Sequence, residues 1–373
     1  MSNSERYQYQ DQNEFNRYPD QLLNPKNLKL LSHEWNIPEE DILMIALNAS
    51  GIKNSETEKN ERGRFEITFP NDRKYLLALT VTDKPLSSFE HKNNSIIFDN
   101  KIIAEASPIE NDTCTDSYWR KGKTHLTLNS NSRSNCRGCV FCGTYSLKDD
   151  DEPLTNPKNL RRKITTLQSE LGKNMAEVES IGVVTGCFPD ENQLVDHLMM
   201  IRKTFGEFGF TGELAYIGSQ LRSLDAIQKI IDAGPFSLYL TVEAFDRRDE
   251  LIKKTKSSLD LESGKKLLGE AKRMGAETSF LYIAGLDSCE TMMEQFPSYE
   301  PVVTRLPQIQ TFQVYVPEQI KVRRPEAGKI EYFLKTRKII ENSFPNLLPI
   351  TSNNYRGLWY TNYKDYPLPN LEI

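Results

Sequence analysis

The segment Asn135-Cys136-Arg137-Gly138-Cys139-Val140-Phe141-Cys142-Gly143 decides the fold. It places three of the six cysteines close together, directly after an apolar-alternating run at residues 125–128. Thiolates are soft ligands, and three of them on one loop can converge on an iron–sulfur cluster, or on zinc if a fourth ligand joins them. The spacing therefore predicts a metal-binding loop at the end of a β-strand.

The remaining cysteines and the nearest histidine bear on whether this metal centre is open or closed. A structural zinc site uses four protein ligands, whereas a catalytic centre keeps one position open. His125 lies on the far side of a strand and Cys114 lies upstream. Cys187 and Cys289 lie far downstream, and a lone cysteine is more often a small core residue. The lack of a local fourth ligand favours an open cluster, and a zinc-stabilised interaction protein is the alternative.

Length, charge and cysteine use narrow the class of protein. A chain of 373 residues with a net charge of −5 has no basic arm for a phosphate backbone, so nucleic acid is an unlikely partner. No run approaches the roughly 18 apolar residues that span a bilayer, so no membrane association is expected. Six cysteines in a chain of this length do not resemble a secreted disulfide framework. A cytoplasmic protein is expected.

Apolar runs alternate with helical stretches from residue 125 onward. This alternation predicts an α/β fold of parallel strands joined by right-handed crossovers, with the active site on the loops after the carboxyl ends of the strands. The predicted strands are His125–Ser130, Ser180–Thr185, Glu213–Gly218, Ser237–Glu243, Glu277–Ile283 and Ile309–Val316. The predicted helices are 158–172, 190–206, 222–233, 247–274, 290–306 and 328–342.

Four segments are predicted from changes in composition. Residues 1–24 are a polar arm, and 25–115 are a small α+β accessory domain with helices at 25–36 and 38–51. Residues 116–320 are the core, and 321–373 are a helix and an aromatic-rich tail that caps it. The strands predicted in the accessory domain are Arg64–Phe69, Lys74–Thr82, Ser95–Phe98 and Lys101–Ala106.

The cysteine triplet after the first strand, the aromatic Phe141 just before Cys142, and five further βα units resemble the radical S-adenosylmethionine (SAM) enzymes over residues 124–320. One spacing departs from that family, because its usual pattern is C-x-x-x-C-x-x-C and the first interval here is one residue shorter. The resemblance implies a partial (βα)6 barrel. It also implies a [4Fe-4S] cluster on Cys136, Cys139 and Cys142, with SAM as the second cofactor.

The resemblance implies a set of SAM contacts at the strand ends. Thr185 and Gly186 follow the second predicted strand, where the family presents backbone to the SAM amino group, although the usual Gly-Gly-Glu is absent. A turn glycine is the alternative for Gly186. Ser219 follows the third strand as another possible contact, with a helix N-cap as its alternative.

The fourth and fifth predicted strands supply the other implied contacts. Glu243 would accept from the SAM ribose or amino group, with a structural cap or salt bridge as the alternative. Arg248 would reach the SAM carboxylate, although charged residues at a helix start are usually only solvated. Gly285 corresponds to the end of strand five that packs adenine in the family. The sequence singles out no catalytic acid or base.

The expected function is that of a single-cluster oxidoreductase in biosynthesis. A second cysteine cluster and an Asp-x-His-x-x-Gly cobalamin pattern are both absent from the sequence. Family chemistry implies reductive cleavage of SAM to a 5′-deoxyadenosyl radical that abstracts hydrogen, with an electron donor such as flavodoxin or ferredoxin. A small-molecule biosynthetic intermediate is the expected substrate. A peptide substrate, gripped by strand addition to the N-terminal domain, is the enzyme alternative.

Overall fold

The computed structural model describes residues 22–53, 61–70, 72–82, 87–111, 117–120, 124–132, 136, 138–143, 152–172, 174–314, 317–347 and 357–360. The predicted arm at 1–24 lies outside the described residues except for its last three. Residues 348–356 and 361–373 of the predicted tail, and Cys114, also lie outside them. No helix in the described part of the chain combines the length and apolar character needed to cross a membrane.

The first part of the described chain is a small β-barrel preceded by helices. A 3-10 turn at Pro25–Asn27 leads into α1 (Leu28–Trp35) and α2 (Glu39–Ser50). The strands that follow are β1 (Ile52–Lys53), β2 (Glu61–Thr68), β3 (Lys74–Thr82), β4 (Phe89–Lys92), β5 (Ser95–Phe98) and β6 (Lys101–Asn111). The described strands close in the order β1-β3-β2-β6-β5-β4, and closure leaves no open sheet edge.

Both helices and all four strands predicted before residue 115 are present. The prediction missed β1 and β4, which complete the barrel. Strand β1 has only two residues, and β4 reads Phe-Glu-His-Lys with one apolar side chain. Neither segment carries the alternation that identifies a strand locally; β1 is fixed by pairing with β3 and β4, and β4 by a tight hairpin with β5.

The second part of the described chain is a seven-stranded sheet whose strands lie in chain order. Its strands are β7 (Ser117–Arg120), β8 (His125–Leu128), β9 (Ser180–Val184), β10 (Glu213–Gly218), β11 (Phe236–Glu243), β12 (Glu277–Ala284) and β13 (Gln308–Thr311). Strands β8 to β13 pair in parallel, and the unpredicted β7 adds an antiparallel edge. The prediction of an α/β fold with a parallel sheet is confirmed.

Sequential parallel order explains the curvature of this sheet. Each crossover connection is right-handed and leads to the next strand in the sheet, so all the crossover helices lie on the same face. The twisted sheet then curls around its other face and forms a half-barrel. Strand β11 is buried at every residue, as expected for a parallel strand covered on both faces. The carboxyl ends of the strands consequently meet at one rim of the half-barrel.

The helices of the second part are α3 (Pro157–Leu171), α4 (Glu191–Gly206), α5 (Leu224–Asp232), α6 (Arg248–Leu251), α7 (Lys254–Ser257), α8 (Leu261–Arg273), α9 (Cys289–Gln295) and α10 (Ile330–Ser343). Further 3-10 segments are Met175–Glu177, Phe296–Val302, Pro317–Lys321 and Pro325–Gly328. Five of the helices begin with a side-chain cap that accepts a backbone N–H, from Asn156, Asp190, Ser223, Asp260 and Ser288. Such caps fix where each crossover turns back toward the sheet.

The single helix predicted over 247–274 is wrong, because this stretch forms α6, α7 and α8. Ile252 has extended backbone angles between the first two of these helices. At this break Leu251 accepts a hydrogen bond from the backbone N–H of Val140, and the N–H of Lys253 lies 3.5 Å from the Cys139 sulfur. Tertiary contacts with the cysteine loop therefore replace helical hydrogen bonds. The helix predicted over 290–306 also ends early, where Pro297 and Pro301 favour a 3-10 segment.

The two parts of the chain are joined by buried polar contacts. Asp41 of α2 accepts a 2.6 Å hydrogen bond from Arg337 of α10, and their side chains are 0% and 3% exposed. Gln313, just after β13, donates to the carbonyl of Ala78 in the barrel at 2.6 Å and to Asn48 of α2 at 3.5 Å. A buried ion pair tolerates the loss of one partner poorly, so the β-barrel and the half-barrel are structurally interdependent.

A buried histidine makes the stability of the half-barrel depend on pH. His197 of α4 lies 2.7 Å from the Ser130 hydroxyl, and burial lowers its pKa to about 4. An unfolded histidine titrates near about 6.5, so the unfolded state takes up a proton that the folded state refuses, and stability falls as the pH falls between these values. Between pH 7 and pH 4 the free energy of unfolding of His197→Gln is therefore expected to fall by up to about 3 kcal/mol less than that of the wild type. Urea unfolding of both proteins at several pH values from 7 to 4 measures this difference. The same dependence of unfolding free energy on pH in both proteins would contradict a lowered pKa for His197.

Candidate metal and cofactor site

A cavity of about 190 Å³ lies at the rim formed by the carboxyl ends of the parallel strands. This is the edge at which strand-end loops of α/β folds carry ligand sites. Its lining comes from the cysteine loop and from the ends of five strands. The lining residues are Cys136, Phe141, Cys142, Gly143, Val184, Thr185, Cys187, Tyr216, Ile217, Gly218, Ser219, Gln220, Thr241, Glu243, Lys256, Leu281, Ile283, Gln310, Thr311, Phe312 and Gln313.

The cysteine loop is held against the break between α6 and α7. The backbone N–H of Val140 donates to Leu251 at 3.0 Å, and that of Lys253 lies 3.5 Å from the sulfur of Cys139, which is 7% exposed. Gly138 has φ +112°, and a Cβ there would lie 2.9 Å from the Cβ of Lys253. Glycine is needed at this position both for the backbone angle and for the close approach.

The three predicted metal ligands are brought to one region without forming a finished ligand set. Cys136 and Cys142 line the cavity, and Cys139 packs into an apolar cluster with Phe141 and Leu281 beside it. Burial raises the pKa of the Cys139 thiol to about 12. Within the described ranges, no three Cys, His, Asp or Glu side chains are close enough together to hold a metal ion. Metal binding would therefore have to draw the thiols together.

Cys187 is a site residue that the sequence interpretation set aside. Its sulfur lies 3.4 Å from that of Cys136, and the Lys253 ammonium lies 2.6 Å from Cys187 and 3.2 Å from Cys136. The hydrogen-bonding contact with the Cys136 sulfur, aided by Lys253 against the effect of burial, lowers the pKa of Cys187 to about 5. The same contact and burial raise the pKa of Cys136. The sequence argument that no fourth thiol is near the triplet is thus wrong in three dimensions.

Glu243 lies at the end of β11, where the strand register shifts between Thr241 and Glu243. Its φ of +67° is in the left-handed region, which is uncommon for a residue with a side chain and is often associated with functional sites. One carboxylate oxygen accepts a 2.9 Å hydrogen bond from Lys256 of α7. The Glu243 side chain is 9% exposed and that of Lys256 15%. The predicted acid therefore borders the cavity as half of a buried ion pair.

Lys256 is a second site residue that the sequence interpretation missed. Burial favours a lower pKa, but the charge of Glu243 and the adjacent thiols Cys139 and Cys136 outweigh it and raise the pKa of Lys256 well above its usual value. The ammonium therefore stays charged at the cavity wall. The sequence interpretation placed Lys253 and Lys256 inside the single helix predicted over 247–274. The break before α7 brings both lysines to the thiols and to Glu243.

Four buried oxygen atoms in the cavity lining have no hydrogen-bond partner. They are Oγ of Ser219, Oγ1 of Thr241, Oγ1 of Thr311 and Oε2 of Glu243. A buried polar atom left unpaired costs about 1–3 kcal/mol. Four such atoms around one cavity, from the ends of the three strands β10, β11 and β13, indicate a ligand that carries several hydrogen-bonding groups. This donor set, beside the thiols, fits a polar cofactor next to a metal centre.

The structure places Thr185, Gly186 and Ser219 around the same rim. Thr185 and Ser219 line the cavity, whereas Gly186 is buried behind it and donates its backbone N–H to Asn131 at 3.1 Å. The alternative of Ser219 as a helix N-cap is wrong, because Ser223 caps α5.

Arg248 and Gly285 lie outside the cavity lining. The terminal nitrogens of Arg248 donate to the carbonyls of Val242 and Ala244 at 2.6 and 2.8 Å, on either side of Glu243, and to Leu259. Gly285 has φ +119°, and a Cβ there would lie 2.9 Å from the Cβ of Phe312, which does line the cavity. Both residues support lining residues in this structure.

No protein-family profile matches the sequence, and no characterised protein matches it by sequence similarity. Among solved structures, Streptococcus suis SuiB bound to S-adenosylmethionine matches 54% of this chain and 43% of that chain, at 14% identity and a TM-score of 0.38. SuiB bound to the precursor peptide SuiA matches 54% and 41%, at 14% identity and TM-score 0.37. The radical S-adenosylmethionine methyltransferase TsrM from Kitasatospora setae, with cobalamin and a [4Fe-4S] cluster bound, matches 51% and 36%, at 10% identity and TM-score 0.35. The chain thus covers less than half of each of these proteins.

Proposed function

We propose that this protein is a radical SAM enzyme whose cluster and cofactor share the rim cavity. The observation that carries the proposal is the convergence, at one cavity, of two thiols from the cysteine loop with four unpartnered buried oxygens from the ends of three strands. Thiols suit an iron–sulfur cluster, and the oxygens suit the ribose hydroxyls and amino group of SAM. The first interval of the cysteine triplet is one residue shorter than in the radical SAM pattern, but all three thiols are present.

The residues divide into two groups under this proposal. Cys136, Cys139 and Cys142 would hold a [4Fe-4S] cluster. When bound, the cluster supplies one-electron reduction of SAM, which breaks a carbon–sulfur bond and yields a 5′-deoxyadenosyl radical for hydrogen abstraction. The chain's own contribution is orientation and exclusion of water around the reacting groups.

The SAM-binding group is built on the strand ends. Glu243 accepts hydrogen bonds from the ribose or amino group through its unpartnered oxygen, and Lys256 holds the other oxygen in place. Thr185 and Ser219 add contacts around the rim. Gly186 and Gly285 do not contact SAM by side chains: Gly186 contributes its backbone, and Gly285 leaves room for the lining residue Phe312. Arg248 holds the backbone on both sides of Glu243.

The substrate proposed is a small-molecule biosynthetic intermediate, with an electron supplied by a flavodoxin or ferredoxin. Residues 25–115 are proposed as an accessory domain and 116–320 as the catalytic core, with 321–373 as a cap. Peptide capture by strand addition to the N-terminal domain is not proposed, because its described strands close on themselves.

The second candidate function is that of a zinc-stabilised protein without catalysis. One observation favours it: Cys187 lies 3.4 Å from Cys136, so a fourth thiol is within reach of the triplet. Four thiolates are a common ligand set for structural zinc. The unpartnered oxygens beside the thiols weigh against this candidate, because a closed zinc site makes no use of them.

The test is anaerobic reconstitution with iron and sulfide, reduction with dithionite, and chromatographic detection of 5′-deoxyadenosine after SAM is added. The proposal expects 5′-deoxyadenosine that depends on both the cluster and the reductant. A protein that binds a full cluster yet forms none under these conditions would contradict it.

A further inference from the structure

We propose that Cys187 is a fourth thiolate ligand of the metal centre, bound until SAM takes its position. The inference rests on the proposed function, since it concerns the same metal site. Its starting observation is the 3.4 Å separation of the Cys136 and Cys187 sulfurs, both of which line the cavity together with Cys142. If only the three thiols of the cysteine loop bound the metal, the metal site would not require the Cys187 sulfur to lie so close to that of Cys136.

The fold makes the approach of Cys187 to the triplet a consequence of topology. Strands β8 and β9 are paired neighbours, so the loops that follow them leave the same rim side by side. The backbone N–H of Gly186 donates to Asn131 at 3.1 Å, and the Asn131 side chain lies 3.5 Å from the Cys187 carbonyl. These contacts tie the segment carrying Cys187 to the segment that leads into the cysteine loop.

The charges around the four thiols suit an anionic ligand set. A metal site with four thiolates carries more negative charge than one with three. Lys253 places its ammonium within 2.6 Å of Cys187 and 3.2 Å of Cys136, and Lys256 stands at the same cavity. Opposite charge at short range in a partly buried site compensates thiolate charge strongly.

A second ligand is indicated at the same place by the unpartnered lining atoms. Oγ of Ser219 and Oγ1 of Thr311 are buried without partners, in residues that are 4% and 1% exposed. They indicate that a polar ligand enters the cavity that Cys187 also lines. SAM in this cavity would take the metal position of Cys187, and the released thiolate would lie beside the Lys253 ammonium, which is 2.6 Å from its sulfur. Cys187 would thereby close the metal centre in the absence of SAM.

The test compares reconstituted wild-type protein with Cys187→Ala, and with Cys289→Ala as a matched control outside the cavity lining. An iron without a protein thiolate is lost most readily on oxidation. Ferricyanide treatment without SAM is therefore expected to give a several-fold larger three-iron electron paramagnetic resonance signal per chain in Cys187→Ala than in the other two proteins. Equal signals in all three proteins would overturn the inference. Prior addition of SAM is expected to remove the difference.

A cobalt titration separates failure of this inference from failure of the proposed function. If no protein assembles a cluster, the proposed function fails, and the same three proteins are titrated with Co²⁺ alone. Cys187→Ala is then expected to lose about a quarter of the thiolate-to-cobalt absorption, since one thiolate of four is missing. Unchanged absorption in Cys187→Ala would overturn the ligand role of Cys187 whichever metal the site takes.

Discussion

Replacing Cys139 or Cys142 by alanine is expected to lower SAM cleavage by more than about 100-fold, beyond the 10–100-fold loss typical of outer-shell partners of a metal. Each substitution removes a thiolate that no other described thiol is placed to replace, because the loop cysteine that the Cys187 sulfur approaches, at 3.4 Å, is Cys136. The measurement is 5′-deoxyadenosine formed per chain after anaerobic reconstitution, together with iron and acid-labile sulfide content.

The matched control is Cys289→Ala, since Cys289 lies at the start of α9 and outside the cavity lining. It is expected to keep wild-type iron content and SAM cleavage. For Cys136 the informative variant is the double substitution Cys136→Ala and Cys187→Ala, which removes both neighbouring thiols. Full iron content and cleavage in Cys139→Ala or Cys142→Ala would show that the cluster is held elsewhere.

Replacing Glu243 by glutamine is expected to weaken SAM binding by about 10- to 100-fold. A hydrogen bond that involves a charged group contributes about 1.5–3 kcal/mol, and each 1.4 kcal/mol is a factor of ten in affinity. Glutamine keeps the shape and can still accept from Lys256, so the cluster should assemble normally. Equilibrium dialysis of SAM against the reconstituted protein measures the change.

Glu250→Gln is the matched control for this substitution, because Glu250 is exposed on the adjacent α6. It is expected to bind SAM as the wild type does. A second variant, Glu243→Gln combined with Lys256→Met, removes the charge of both partners, so that loss of affinity cannot be attributed to an unpaired buried ammonium. Wild-type SAM affinity in both Glu243 variants would exclude Glu243 from the binding site.

The parallel sheet was predictable because its strands are locally distinctive. Strands β9 to β12 are apolar runs bounded by turn residues, and caps such as Asp190 and Ser223 mark where crossover helices begin. Strands β1, β4 and β7 were not predictable, since each has only two to four residues and is too short to show a strand pattern. The break of the 247–274 helix was missed because a contact with the cysteine loop, distant in sequence, decides it.

The cavity lining was predictable where a residue suited to binding a metal or SAM stands at or just after the end of a strand. Examples are Cys136, Cys142, Thr185 and Glu243. Cys187 was noted as a thiol beside the expected site but was taken for a small core residue and too far along the sequence to be a fourth ligand. The predicted pairing of neighbouring strands already implied that their following loops meet. Lys256 and the supporting role of Arg248 depend on the left-handed backbone of Glu243 and on a helix break. Neither of these features leaves a local pattern in the sequence.

The proposed cluster is tested most directly by the metal content of the protein purified without exposure to oxygen. We expect about four iron and four acid-labile sulfide per chain after reconstitution, as a [4Fe-4S] cluster requires, with brown colour that fades on reaction with air. One zinc per chain, with neither iron nor sulfide retained after reconstitution, would contradict it.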